Sequence, residues 1–252
     1  MEEGGMKIVF HEAFYAVYAS DPAADQGRME SIMGVIEPFV ETVQAISATA
    51  DQIKAVHTDS HLKRVKAQRV YDAAALAAGG AVQAATIGLE EPCMGVIRPP
   101  GHHASRDSAW GFCYFNNMAV ALQYLKDQGK IKTAYVLDID LHFGDGTGNI
   151  FSEEEWVSVH NVEAGDRESY LNEVAGEMAR CEADLIGISA GFDNHEEDWG
   201  STLKTGDYTE IGSLVRAAAQ REGGGCFALL EGGYNHDILG YNVMALIEGL
   251  SA

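Results

Sequence analysis

Apolar residues gather in four short runs, each closing on polar or glycine-rich positions. They are MGVIRPPGHH from Met94, AYVLDIDLHFGDG from Ala134, DLIGISAGFDNH from Asp184 and CFALLEGGYN from Cys226. Runs of this length, apolar on every residue, predict strands buried on both faces. Between them, FNNMAVALQYLKDQ (115–128), SYLNEVAGEMARCE (169–182) and YTEIGSLVRAAAQRE (208–222) repeat apolar residues three and four apart, the period of a helix with one buried stripe. A further stretch of small residues, AAALAAGGAVQAATIGL (73–89), predicts a tightly packed helix and is too short and too mild to span a bilayer. Strand and helix in alternation predict an α/β fold, a central, mostly parallel sheet flanked by helices on both faces. A chain of 252 residues fits that architecture as a single domain, 1–252.

In such sheets ligands bind beyond the carboxyl ends of the strands, and all four runs deliver reactive residues there. They bring His102 and His103, the Asp138 to Asp145 cluster, Asp193 and Tyr234. In VLDIDLHFGDG (136–146) the strand period turns Asp138, Asp140 and His142 to one face. Buried charges of that kind demand a cation. Asp140, His142 and Asp193 form a three-ligand set with positions left open, a catalytic rather than a structural arrangement. It suits Zn2+, and equally Fe2+, Mn2+ or Co2+. The segment is no EF-hand, because Phe143 stands where that loop needs Gly and Asn149 where it needs Glu. Nor is it a dinucleotide loop, since Asn149 replaces the last Gly of G-x-G-x-x-G. The adjacent imidazoles of His102 and His103, after the rigid RPPG, are placed as proton handlers, with Asp138 and Asp145 to orient them. Tyr234, released by the glycines of EGGYN, can donate to a developing oxyanion. Metal, base and phenol together describe hydrolysis of a carbonyl compound.

Charge narrows the substrate. Seventeen Lys and Arg stand against thirty-eight Asp and Glu, a formal charge of −21 that repels nucleic acid and anionic membranes and attracts cationic ligands. Cys93, Cys113, Cys181 and Cys226 are scattered with no C-x-x-C pair, which predicts reduced packing residues rather than a disulfide framework. The acidic start MEEGGMKIVF has no basic segment followed by an apolar one, so a cytoplasmic location is expected. Nothing in the pattern specifies an oligomer.

Together, FYAVYASDPAADQGRME, HTDSHLKRV, RPPGHHA, GFCYFNNMAVA, VLDIDLHFGDGTGNIF, SVH, ISAGFDNH and LLEGGYN resemble the histone deacetylase and acetylpolyamine amidohydrolase family, in the family's order and across nearly the whole chain. The resemblance implies an arginase-like fold and a zinc-dependent deacetylase. Asp140, His142 and Asp193 would hold the metal, and His103, paired with Asp145, would act as general base and then acid. His102, paired with Asp138, would be its electrostatic partner, and Tyr234 would hold the oxyanion. Gly111 and Phe112 would line the entrance. The family also implies a monovalent cation, K+, near Asp138, Asp140, His142, Ser158 and Val159.

Departures from the family bear on the substrate. Between His160 and Asp184 the family carries a longer loop with an aromatic that walls the substrate tunnel, whereas HNVEAGDRE runs straight into a predicted helix. A shallower, more open pocket is expected, for a small cationic acylated amine or an acyl-lysine. The segment before RPPGHH lacks the insertion through which polyamine hydrolases dimerise, which weakens the polyamine reading. Phe143 stands where a second His is common, its side chain expected to point away from the metal. Two alternatives keep the fold: a dinuclear ureohydrolase, which needs a D-x-H-x-D run absent here, and a catalytically silent module that binds acylated amines.

Overall fold

The structure is a computed structural model that describes residues 5–252; the first four residues of the acidic start lie outside it. Seven strands, β1 (Lys7–Phe10), β2 (Glu41–Gln44), β3 (Cys93–Gly95), β4 (Ala134–Asp138), β5 (Val157–Asn161), β6 (Leu185–Ala190) and β7 (Gly225–Leu230), form one sheet in the order β2-β1-β3-β7-β6-β4-β5. Every pairing is parallel. The four apolar runs are the four adjacent strands β3, β7, β6 and β4, so their carboxyl ends open side by side at one pole. Each is buried along its whole length. Such burial needs helices on both faces of the sheet.

Nine helices supply that cover among the described residues: α1 (Arg28–Ile36), α2 (Ala50–Lys54), α3 (Asp59–Ala67), α4 (Tyr71–Ile87), α5 (Asn117–Asp127), α6 (Asp145–Phe151), α7 (Arg167–Arg180), α8 (Thr205–Glu222) and α9 (His236–Ser251). Helices α1, α8 and α9 pack together, and α4 packs on α5. Local chemistry sets where several begin. The Asn116 side chain accepts from the Ala119 N–H at the start of α5, and the Asp166 side chain from the Ser169 N–H at the start of α7. The three helices predicted from periodicity are α5, α7 and α8, and the stretch of small residues forms α4. The two that follow loops most closely, α7 and α8, start two and three residues earlier than their apolar stripes, because the first turn is polar and capped. The four cysteines are free and buried. No helix among the described residues is long and apolar enough to cross a membrane.

Candidate active site

The chain leaves β4 at Asp138 and turns through Asp140 and His142, while the loop after β6 carries Asp193 to the same point. His142 Nδ1 lies 3.3 Å from Asp140 Oδ1 and 3.1 Å from Asp193 Oδ2. One donor atom from each residue falls within 4.8 Å of the others. Asp140 and Asp193 are buried, and a Cβ at Gly232 would stand 2.6 Å from Asp140 Oδ2 and 2.9 Å from the Asp193 carboxylate. Only glycine lets β7's end approach so closely, and its N–H donates to Asp140 Oδ2 at 2.8 Å. Two buried carboxylates facing one imidazole leave negative charge for a cation to neutralise. The donor set, two oxygens and a nitrogen with open positions, therefore fits a divalent metal. Hydrogen bonds to Asp140 and Asp193 raise the His142 imidazole to about 10, and burial next to Asp140 pushes the Asp193 carboxyl up to about 6.

The two adjacent histidines are made unlike by their surroundings. His102 Nδ1 is 3.1 Å from Asp138 Oδ2, and its Nε2 is 3.8 Å from Asp140 Oδ1. Burial alone would push this imidazole down, but the Asp140 and Asp138 carboxylates outweigh it and hold it well above its usual range. His103 Nδ1 is 2.7 Å from Asp145 Oδ1, which leaves Nε2 free to face the pocket. Burial, and then the charge of His102, push His103 down to about 4. The two rings are thus shifted in opposite directions, His102 toward its charged form and His103 toward a neutral base. Beneath them Glu231 accepts from the Gly101 and His102 N–H groups, at 2.6 and 3.1 Å, and burial raises it to about 7. His102, Cys113 and Glu231 also converge as possible ligands, but burial keeps the Cys113 thiol far above its ordinary range and hence protonated.

A cavity of about 100 Å³ joins these groups, lined by His102, His103 and His142 and by Gly111, Phe112 and Tyr234. Burial, reinforced by Asp140 and Asp193, raises the Tyr234 phenol, so it stays a proton donor. The Tyr234 and Asn235 N–H groups both donate to Asp198, at 2.8 Å each, fixing the loop that presents the ring. Gly111 has φ +57, and an added Cβ there would run into the His103 ring.

Two residues that sequence reasoning passed over complete the walls. Trp110 stacks on His103 at 3.9 Å between ring centroids, and Trp199 stacks on Tyr234 at 4.1 Å. Both indoles are more than half exposed, at 56% and 52%. Trp199, from the loop after β6, lines the cavity together with Tyr234. The chain from Asn161 enters α7 at Arg167, as the sequence leads one to expect. The expected monovalent-cation residues are less well gathered. Ser158 and Val159 pair with Tyr135 and Val136, short of Asp138, which pairs with Asn161; Ser158 is exposed, and the Asp138 carbonyl accepts from the Val162 N–H at 3.1 Å. That cation rests on the resemblance alone.

Comparison with known proteins bears on the family and the fold. A probable deacetylase from Archaeoglobus fulgidus is 29% identical over 315 aligned positions, covering 97% of this chain and 86% of the relative; its extra length appears as insertions. An acetylpolyamine amidohydrolase from Mycoplana ramosa is 31% identical over 62% of this chain and 55% of its own. The crystal structure of the HDA15 HD domain superposes with a TM-score of 0.83 at 21% identity, covering 98% of this chain and 90% of that one, and so has the same fold. The histone deacetylase domain model matches residues 39–170 and 157–250, most of the chain, and the protein therefore belongs to the histone deacetylase family.

Proposed function

We propose that this protein is a metal-dependent amide hydrolase that removes an acetyl or other acyl group from an amine such as acyl-lysine or an acetylated polyamine. The observation that carries the reading is one cavity lined by His102, His103, His142 and Tyr234, with Asp140 and Asp193 converging on His142 behind it. A divalent cation held by Asp140, His142 and Asp193 would polarise the amide carbonyl and ease deprotonation of water. His103 Nε2 takes the proton of the attacking water, while Asp145 at Nδ1 steadies the imidazolium that forms. The Tyr234 phenol donates to the oxygen as it becomes an oxyanion. His103 then returns its proton to the departing nitrogen, giving carboxylate and free amine. The His102 imidazolium, between Asp138 and Asp140, offsets their charge and keeps the His103 ring neutral until it acts.

The test is acetate release by zinc-loaded protein from an acetyl-lysine peptide, free acetyl-lysine, acetylputrescine and acetylspermidine, with and without chelator. Chelator-sensitive release is expected. A metal-loaded protein that hydrolyses none of these, nor their longer acyl homologues, would overturn the reading in favour of a silent binding module.

A further inference from the structure

Beside the pocket lies a second, larger cavity of about 340 Å³, open to the surface. Its inner wall is Leu141 and Phe143, the neighbours of His142, and both are exposed, Phe143 to 54%. Its outer wall is the short turn 161–165, where Val162 and Ala164 add further apolar surface. That turn is pinned by one carboxylate of α7. Glu173 accepts from the Ala164 N–H at 3.1 Å and the Glu163 N–H at 3.4 Å, and meets His160 Nε2 at 2.8 Å. The floor is equally set, for Tyr170 Oη and Asn194 Nδ2 both donate to the Ile139 carbonyl, at 3.0 and 3.1 Å. The two cavities are neighbours across short stretches of chain: Trp199 and His142 line the smaller, and Gly200, Leu141 and Phe143 the larger.

The lining selects an occupant. It carries no Lys or Arg, its apolar side is Leu141, Phe143, Val162 and Ala164, its polar side includes Asn161, Asn194 and Thr202, and its rim holds the exposed Glu163 on a protein of formal charge −21. We propose that this groove is a subsite for the amine side of the substrate, an aliphatic chain ending in an ammonium group; this rests on the hydrolase reading above. The methylenes lie along Leu141 and Phe143, and the cation meets Glu163. The ammonium group belongs either to a polyamine tail or to a lysine beside the acylated one in a peptide.

Acetate release is measured from N-butylacetamide, N-acetylputrescine, N-acetylspermidine and acetyl-lysine peptides with Lys or Ala as the next residue, using wild type, Glu163→Gln and Phe143→Ala. Glu163→Gln is expected to raise KM for the cationic substrates by about fivefold, the upper range for one exposed ion pair, with kcat kept and N-butylacetamide unaffected. Phe143→Ala raises KM for every substrate long enough to reach the groove. A loss confined to the amines identifies a polyamine source, and one confined to the Lys peptide a peptide source. An unchanged preference for cationic over neutral substrates in Glu163→Gln overturns the subsite. Should no substrate turn over, calorimetry of N-acetylspermidine binding decides it separately: weaker binding to Glu163→Gln upholds the groove, and equal binding to both proteins removes it.

Discussion

Trp110 and His103 share one carboxylate. The Trp110 Nε1–H donates to Asp145 at 2.9 and 3.1 Å, while His103 Nδ1 meets the same group at 2.7 Å and lies under the indole ring. Although exposed, Trp110 thus fixes the aspartate that orients the base and shields the base from water. Trp110→Phe keeps the stack and removes the hydrogen bond, and should lower kcat roughly tenfold, about 1.4 kcal/mol, with KM little changed. Trp110→Ala removes both and should fall further. Steady-state kinetics on acetyl-lysine decide the point; a change in KM alone would make Trp110 a substrate contact instead.

Residues that move protons and residues that hold metal should separate under mutation. Tyr234→Phe and His103→Ala are each expected to cost about two or more orders of magnitude in turnover while metal content stays intact. Asp193→Ala should empty the site, because it removes one of only three donors. Elemental analysis beside kinetics makes the comparison, and an Asp193→Ala protein with full metal and full activity contradicts the ligand assignment.

The approach of Gly111 to His103 predicts a paired loss. At φ +57 an alanine is strained by roughly 1–2 kcal/mol, and its methyl collides with the imidazole. The next residue, Phe112, already sits at φ +66, so the turn has little room to relax. Gly111→Ala should lower the urea midpoint and depress kcat together. Normal kcat would mean that His103 tolerates displacement.

Stability should depend on pH through a histidine remote from the metal ligands. His57 Nε2 accepts from the Asn116 N–H at 2.9 Å and Nδ1 meets the Ser105 carbonyl at 3.0 Å, a pairing that requires the neutral ring. Burial, and then His61, push its folded value down to about 3, against about 6.5 when unfolded. The unfolded chain therefore binds the extra proton. His57's contribution is complete above about pH 6.5 and is lost as pH falls from there toward 3, with a slope approaching about 1.4 kcal/mol per pH unit. In His57→Gln, which keeps an acceptor for Asn116, the decline between pH 6.5 and 4.5 should be shallower than in wild type. Urea titrations across that range measure the difference, and parallel curves would show His57 protonating without cost.

The sequence by itself determined the sheet's centre and the donor trio. Strands β3, β4, β6 and β7 are buried on both faces, so each is almost wholly apolar, and that demand is written locally. The outer strands carry no such mark. β2 is an exposed edge of four residues reading ETVQ, and β5 alternates buried Val157 with exposed Ser158. The short helices α2 and α6, of five and seven residues, are below the length at which an apolar stripe can be recognised. Asp140, His142, Asp193, His103 and Tyr234 were legible because each lies in the loop that follows a strand, and the strands all run in the same direction.

What only the tertiary structure decided depends on approach between distant segments. Neither Trp110 nor Trp199 belongs to a periodic pattern; each becomes part of the site because folding lays it on His103 or Tyr234. The differing charge of two adjacent histidines likewise arises from which carboxylates surround each ring and how deeply it is buried, and neither quantity exists in an extended chain. The groove beside the pocket exists because Glu173, nearly two turns into α7, reaches back to hold the loop that follows β5.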